Sequence, residues 1–270
     1  MIGYPGREGA HSAVACATLF PREELLPLPS FRAVAEAVAA RDVEYGVLPI
    51  ESSLVGPVNE THDLLWNSPL SIIGQVVLPI RHLLLAAREV VAEEVRVIYS
   101  HPVALDQCRD LLARLPNATV IAMPTTADAA KHVAESGAGG EAAIASDRAA
   151  ELYGLTVVEA DVGDHPEAFT RFVSLATWTR VDRNGLTFRT AFSFVTDHRP
   201  GALHRALEPF ARHGIDLLQL VSRPIPQSAW RYRFDAVLAG HPLDDEVHAT
   251  LAEVRAMTRR LVVFGSYPAE

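Results

Sequence analysis

Residues 141–154 read Glu-Ala-Ala-Ile-Ala-Ser-Asp-Arg-Ala-Ala-Glu-Leu-Tyr-Gly. After Glu141 the first half is a short apolar run, which suits a strand covered on both faces. From Asp147 to Tyr153 the spacing becomes helical, and Gly154 stands where a left-handed residue closes a helix. Strand running into helix is the repeating unit of an α/β layer. The unit recurs outward from this stretch. Residues 119–123 predict a strand and 126–136 a helix ending near Gly137. Residues 95–99 predict another strand, after which Pro102 opens a helix through Leu105, Cys108, Leu111 and Leu112, because proline is tolerated in a first helical turn. Ser100 is placed to cap that helix.

Further towards the N-terminus, residues 70–79 and 81–87 read as strands, and 11–20 and 31–41 carry helical spacing. Tyr45-Gly46-Val47-Leu48-Pro49-Ile50 is a buried strand followed directly by the polar residues 51–61. Ligands in α/β sheets bind beyond the carboxyl ends of strands, so residues 51–61 mark a candidate site. Residues 160–169 return the chain towards it, and 170–178 form a strand.

Near residue 180 the pattern changes. Arg180-Val181-Asp182-Arg183-Asn184-Gly185 is polar and turn-rich, as a linker is. Beyond it lie a strand at 188–196, a helix with core face Leu203, Leu207 and Phe210 ending at Gly214, strands at 215–221 and 232–238, a helix at 244–257 and a last strand at 261–265. This β-α-β-β-α-β order is that of a ferredoxin-like unit. The division expected is 1–180 for a first, three-layer α/β domain and 186–268 for a second.

Composition narrows the functional classes. The chain has 270 residues, 49% apolar, with a formal net charge of −9. No basic stripe is present to displace counterions from nucleic acid. No apolar run is long enough to span a bilayer, and Met1–Gly6 shows neither the basic nor the apolar region of a signal peptide, so a cytoplasmic protein is expected. Cys16 and Cys108, the two cysteines, read as buried free thiols. His62, His101 and His165 lack metal-ligand spacing, and Gly6-Arg7-Glu8-Gly9 is not followed by Gly-Lys-Ser or Gly-Lys-Thr, so neither a metal nor a nucleotide is expected.

The chemistry-bearing motifs come in a fixed order: Gly6-Arg7-Glu8-Gly9, Pro49-Ile50-Glu51-Ser52-Ser53, Val58-Asn59-Glu60-Thr61, Ser100-His101-Pro102 with Gln107-Cys108, and Thr170-Arg171-Phe172. Thr170 offers a neutral proton donor beside the fixed fork of Arg171, a pairing suited to an anion that must lose an oxygen leaving group. The Gly6–Gly9 turn can present backbone N–H groups to a carboxylate.

In this order the motifs resemble the prephenate dehydratase family, and Gly201-Ala202-Leu203 with Ser222-Arg223-Pro224 resemble the phenylalanine-binding motifs of its ACT domain. The resemblance runs from Tyr4 to about Phe264. It implies a two-lobed, periplasmic-binding-protein-like catalytic domain followed by a ferredoxin-like ACT regulatory domain. It implies conversion of prephenate to phenylpyruvate with loss of carbon dioxide and hydroxide, without a cofactor, in phenylalanine synthesis. Thr170 and Arg171 would be catalytic, with Glu51, Ser52, Ser100, Gln107 and Phe172 binding substrate. Gly201, Ala202, Leu203, Ser222, Arg223 and Pro224 would bind L-phenylalanine as effector, and pairing of ACT domains would give a homodimer or homotetramer. Several positions depart from the family: Arg7, Ala10 and His11 in the glycine turn, Ser52 and Ala168 where asparagine is usual, and His204 and Val221 in the effector motifs. Two missing amides keep open a prephenate decarboxylase that retains the hydroxyl, and the two-lobed shape keeps open a non-catalytic sensor. Arogenate is open as a substrate.

Overall fold

The computed structural model describes residues 1–182, 185–225, 228 and 231–269. Arg183 and Asn184 of the expected linker lie outside the described residues. The chain begins β1 (Ile2–Pro5), α1 (His11–Leu19), β2 (Leu25–Leu28), α2 (Phe31–Ala40), β3 (Tyr45–Ser52), β4 (Gly56–Pro57), α3 (Asn59–Asn67) and β5 (Ser71–Pro79). It continues through β6 (Leu83–Ala86), β7 (Val97–Ser100), α4 (Pro102–Asp106), α5 (Arg109–Arg114), β8 (Thr119–Ala122), α6 (Thr126–Ser136), β9 (Glu141–Ala145), α7 (Asp147–Tyr153), β10 (Thr156–Glu159) and β11 (Phe169–Ala176). The last elements are β12 (Phe188–Val195), α8 (Ala202–Arg212), β13 (Leu217–Pro224), β14 (Tyr232–Ala239), α9 (Asp245–Met257) and β15 (Arg260–Pro268). Among the described residues no helix is long and apolar enough to cross a membrane.

The chain folds as two compact units. The first comprises Met1–Val34, Val47–Val58 and Val77–Phe172, and the second Ala35–Gly46, Asn59–Val76 and Val173–Glu270. The unit boundaries fall inside β3, β5 and β11.

The first unit contains a mixed five-stranded sheet in the order β10-β6-β9-β7-β8. β7 pairs in parallel with β8 and β9, while β6 runs antiparallel to β9 and β10. Alternation along its strands builds two separate cores. Leu83, Leu85, Tyr99, Ala143 and Ala145 meet α6 and α7 on one face. Leu84, Ile98, Ala142 and Ile144 meet Cys108, Leu111 and Leu115 on the other. The layers are thus helix, sheet, helix. The α6 and α7 ends follow the expected chemistry: Thr125 and Ser146 cap the N-termini, and Gly137 and Gly154 close the helices at φ 61° and 64°. The same unit holds β1 and β2 in parallel, with β3 beside β1 and β11 beside β3.

Two local readings change. The helix expected from Pro102 to Leu112 is broken into α4 and α5. Asp164 is the cause: its carboxylate accepts from Arg109 N at 2.9 Å and Asp110 N at 3.0 Å, capping α5 from a distant part of the chain. Ser100 does not cap α4; His101 does, its Nδ1 accepting from Val103 N at 3.2 Å. Ser100 is fully buried and donates to the Ile144 carbonyl at 2.7 Å, bracing β7 against β9.

The second unit carries strands in the order β13-β14-β12-β15-β5. The four strands β12 to β15 pair antiparallel. Phe192 and Phe194 face α8 and α9, stacking with Phe210 and with Phe234 respectively. The alternate residues point to the opposite face, where they meet α3. There Asp235 accepts from Ser193 Oγ at 2.6 Å and Arg223 Nη1 at 3.2 Å, and lies 3.2 Å from His62 Nδ1 and Arg233 Nε. Arg233 also donates to Asp63 at 2.6 Å, and Arg223 to the Asn59 carbonyl at 3.1 Å. Burial pushes the Asp235 carboxyl up, but the adjacent His62 imidazole, the hydrogen bond from Ser193 and the Arg233 charge outweigh it and hold it at about 2.

Candidate functional site

The carboxyl end of β3 and the start of β11 are stapled by one residue. Ser53 N donates to the Phe169 carbonyl and Phe169 N to Ser53 Oγ, each at 2.9 Å. Thr170 and Arg171 follow at once on β11. The Thr170 hydroxyl, half-buried, has no hydrogen-bond partner among the described residues. Arg171 Nε donates to Glu51 Oε2 at 3.3 Å, so the cation and the β3 carboxylate expected at this site form one ion pair. Ser52 Oγ accepts from Leu54 N and Val55 N at 3.3 and 3.4 Å, holding the turn that reverses the chain into β4. Phe172 is 3% exposed and packs in the interior, one residue past the ion pair. Ala168 is also buried, its carbonyl accepting from Ile80 N at 2.8 Å.

A second group forms around the glycine turn. Gly9, at φ 87°, approaches α7 so closely that a Cβ would sit 3.3 Å from Ala149 Cα, which explains glycine there. Ser146 Oγ donates to the Gly9 carbonyl at 2.9 Å, Tyr153 OH to the Glu8 carbonyl at 3.0 Å, and Arg7 pairs with Asp128. The turn delivers the N-terminus of α1, whose N-cap residue Ala10 supplies no side-chain cap. An uncapped helix start presents N–H groups and the positive end of its dipole, a disposition that favours anions.

His11, first in α1, meets His82 edge to face with ring centroids 6.4 Å apart. Burial, then the neighbouring His82, lower the His11 pKa to about 4 against a weaker opposing pull from Asp147. His82 Nε2 lies 2.8 Å from Gln107 Oε1, at the α4–α5 break. Burial lowers the His82 pKa, with the Gln107 bond pulling the other way. The structure therefore gathers Gln107 with His11 and His82, and Thr170 with Arg171, Glu51 and Ser53, while it places Ser100 and Phe172 in the interior. Ser53 stood in the Glu51-Ser52-Ser53 motif without its link to Phe169, and His82 and Asp164 escaped the sequence reading. The one available signal was His82 itself, a polar residue opening the apolar run Leu83-Leu84-Leu85.

The residues of the second motif pair occupy the second unit. Gly201 is the N-cap of α8 at φ 75°, with Ala202 and Leu203 in the first turn. Ser222 and Pro224 are exposed on β13, whereas Arg223 turns inward to Asp235 and Asp63. Among the described residues no group of His, Cys, Asp and Glu side chains is arranged to hold a metal ion.

Helix, sheet, helix layering over a mixed sheet makes this an α/β protein, and the polar residues at the carboxyl end of β3 lie where ligands bind in open sheets of this class. Residues 2–179 match the family model described as prephenate dehydratase. A relative from Arabidopsis thaliana, "Arogenate dehydratase/prephenate dehydratase 2, chloroplastic", is 35% identical over 278 residues, covering 100% of this chain and 73% of the relative. The chain belongs to the prephenate dehydratase family. Among solved structures, prephenate dehydratase from Arthrobacter aurescens in complex with L-Phe aligns with a TM-score of 0.89 and 29% identity, covering 99% of this chain and 89% of that one. A protein described as "GqqA- a novel type of quorum quenching acylases" aligns with a TM-score of 0.88 and 31% identity, covering 100% and 98%.

Proposed function

We propose that the chain converts prephenate to phenylpyruvate, with Thr170 assisting departure of the ring hydroxyl. The observation that carries this reading is the place of Thr170 on β11: its half-buried hydroxyl has no partner among the described residues, and it stands between Phe169, which Ser53 staples to the end of β3, and Arg171, which pairs with Glu51. Loss of carbon dioxide supplies the electron pair, hydroxide leaves from the opposite side of the ring, and aromatisation drives the step. The protein's part is to orient the dianion and to donate hydrogen bonds where charge develops on the leaving oxygen. Arg171, drawn into line by Glu51, organises the site around Thr170. Gln107 and the N-terminus of α1 supply neutral donors for the substrate carboxylates. Ser52 Oγ and Ser100 Oγ act through the backbone they hold, and Phe172 through packing.

On the same reading the first domain, residues 1–180, is two-lobed and catalytic, and residues 186–268 are a ferredoxin-like ACT domain. The β-α-β-β-α-β order and the strand order β13-β14-β12-β15 support that assignment. L-phenylalanine is the proposed effector, at Gly201–Leu203 and Ser222–Pro224, in a homodimer or homotetramer. Arogenate is a second substrate reading, favoured by the name of the Arabidopsis relative. Hydrolysis through a thiolate is disfavoured: burial pushes both thiols up to about 12, with Asp164 adding to the shift at Cys108.

Incubation with prephenate or arogenate, followed by product identification, tests the reading. Phenylpyruvate from prephenate is expected, and Thr170→Val should lower kcat about 10²–10³-fold, the usual loss for one transition-state donor. Carbon dioxide with a non-aromatic keto acid would point to decarboxylation alone and to the departures Ser52 and Ala168. Near-normal turnover by a folded Thr170→Val variant would remove Thr170 from the chemistry.

A further inference from the structure

We infer that His82 is a positioning residue: its Nε2–H holds the Gln107 carboxamide by the oxygen and leaves both amide N–H bonds free for a substrate anion. The inference rests on the reading of the site given above. His82 is 5% exposed, and its Nε2 stands 2.8 Å from Gln107 Oε1. A carboxamide oxygen only accepts, so Nε2 must carry the proton. The other nitrogen, Nδ1, is buried without a hydrogen-bond partner among the described residues. A buried polar atom left unpaired is costly and rare. A residue kept for packing alone would be a phenylalanine or leucine, so the imidazole is retained for its other nitrogen, the one on Gln107.

The backbone around the pair is fixed accordingly. Val162 N donates to the His82 carbonyl at 2.9 Å and Asp164 N to the Gln107 carbonyl at 2.7 Å, so one short segment holds both residues. Asp164 then caps α5 and keeps Gln107 at the break between the helices. The Gln107 amide nitrogen has no partner among the described residues. The reverse orientation of the amide would turn a carbonyl oxygen towards the anion and repel it. Burial favours the neutral imidazole needed for this arrangement, and the lowered His82 pKa agrees.

The test combines kinetics and tautomer spectroscopy on the full chain. His82→Phe should raise KM for prephenate about 10-fold with a smaller change in kcat, the loss expected for one oriented hydrogen bond. His82→Gln, which sets an amide N–H near the place of Nε2, should recover most of it. The double variant His82→Phe/Gln107→Leu should be no worse than Gln107→Leu alone, because two residues acting as one interaction are not additive. Long-range 1H–15N correlation spectra of the wild type should show His82 neutral with the proton on Nε2. An Nδ1–H tautomer, an unchanged KM in His82→Phe, or multiplicative losses in the double variant would overturn this inference alone. Absence of prephenate turnover by a wild type with the Nε2–H tautomer would overturn the reading of the site, and with it the role of His82. If His82→Phe fails to fold, the tautomer and the His82→Gln kinetics decide: Nε2–H with near-wild-type KM upholds the role, and Nδ1–H or a KM as high as that of Gln107→Leu rejects it.

Discussion

Replacing Asp235 by Asn should be among the most damaging single substitutions in the second unit. Asp235 is 3% exposed and receives Ser193, Arg223, Arg233 and His62. Two guanidiniums, Arg223 and Arg233, are balanced there by two carboxylates, Asp63 and Asp235. The Asp63 side chain is 43% exposed, so after Asp235→Asn both cations would depend on one partly solvated partner. Leaving a buried charge uncompensated typically costs about 3–5 kcal/mol. An independent figure comes from titration. A carboxyl at about 2 in the folded chain against 3.8 in the unfolded one contributes about 2 kcal/mol when ionised, at about 1.4 kcal/mol per pH unit. The folded value is depressed, so this stability is fully present above about pH 4 and is lost as pH falls towards about 2. Urea unfolding at pH 7 should show the loss in Asp235→Asn. The difference between variant and wild type should shrink as the pH is lowered from 4, because the wild-type carboxylate is then being protonated. Asp197→Asn, removing an exposed partner of Arg259, should give no resolvable change and serves as control. A loss under about 1 kcal/mol for Asp235→Asn at pH 7, or a difference independent of pH, would refute the reasoning.

Three further outcomes are expected. Arg171→Lys keeps the charge but loses the planar fork beside Glu51, so kcat/KM should fall at least about 10-fold; wild-type kinetics would reduce Arg171 to general electrostatics. Gly265→Ala should destabilise the chain by about 3 kcal/mol or more in thermal or urea unfolding: φ is 139°, and a Cβ would lie 2.5 Å from Ile72 N and closer still to the Ile72 carbonyl oxygen. Calorimetry should show L-phenylalanine binding to the full chain, abolished by substitution of Gly201 with a bulky residue; no heat with the wild-type chain would reject the effector assignment, with His204 and Val221 the first residues to restore.

Legibility followed the range of the interactions. The α6 and α7 boundaries were readable residue by residue because their caps, Thr125, Ser146, Gly137 and Gly154, act within one helical turn. Strand β9 was readable as a short apolar run buried on both faces, and β12 because Phe192 and Phe194 alternate with Ser193 on a pleated surface. What distant partners decide was not. The α4–α5 break depends on Asp164, more than fifty residues away in sequence. Strand β2 carries Pro27, which weakens a strand signal, and β10 is short and half-exposed, without clean alternation. For the proposed site, the order of motifs singled out Thr170, Arg171, Glu51 and Gln107 as candidates. It could not say that Arg171 is already paired, that Ser52 is occupied by its own turn, or that Ser100 braces a sheet.

These pairings bear on how an acidic chain would hold a dianion. Among the described residues of the first unit, Arg171 pairs with Glu51, Arg7 with Asp128, Arg81 with Asp161 and Arg109 with Asp106. His11 and His82 are lowered towards the neutral form. On the proposed reading, recognition therefore falls on oriented neutral donors: the uncapped start of α1, the Gln107 amide and the Thr170 hydroxyl. Fixed dipoles in a shielded site stabilise charge without the solvent reorganisation that mobile surface cations require. They also suit the reaction. Carbon dioxide departs neutral, and the electron pair of the carboxylate passes through the ring to the leaving oxygen, so a cation fixed on that carboxylate would hold the ground state more tightly than the transition state. Neutral donors that follow the leaving oxygen lose less as the charge is redistributed, which is the condition for lowering the barrier instead of deepening the bound complex.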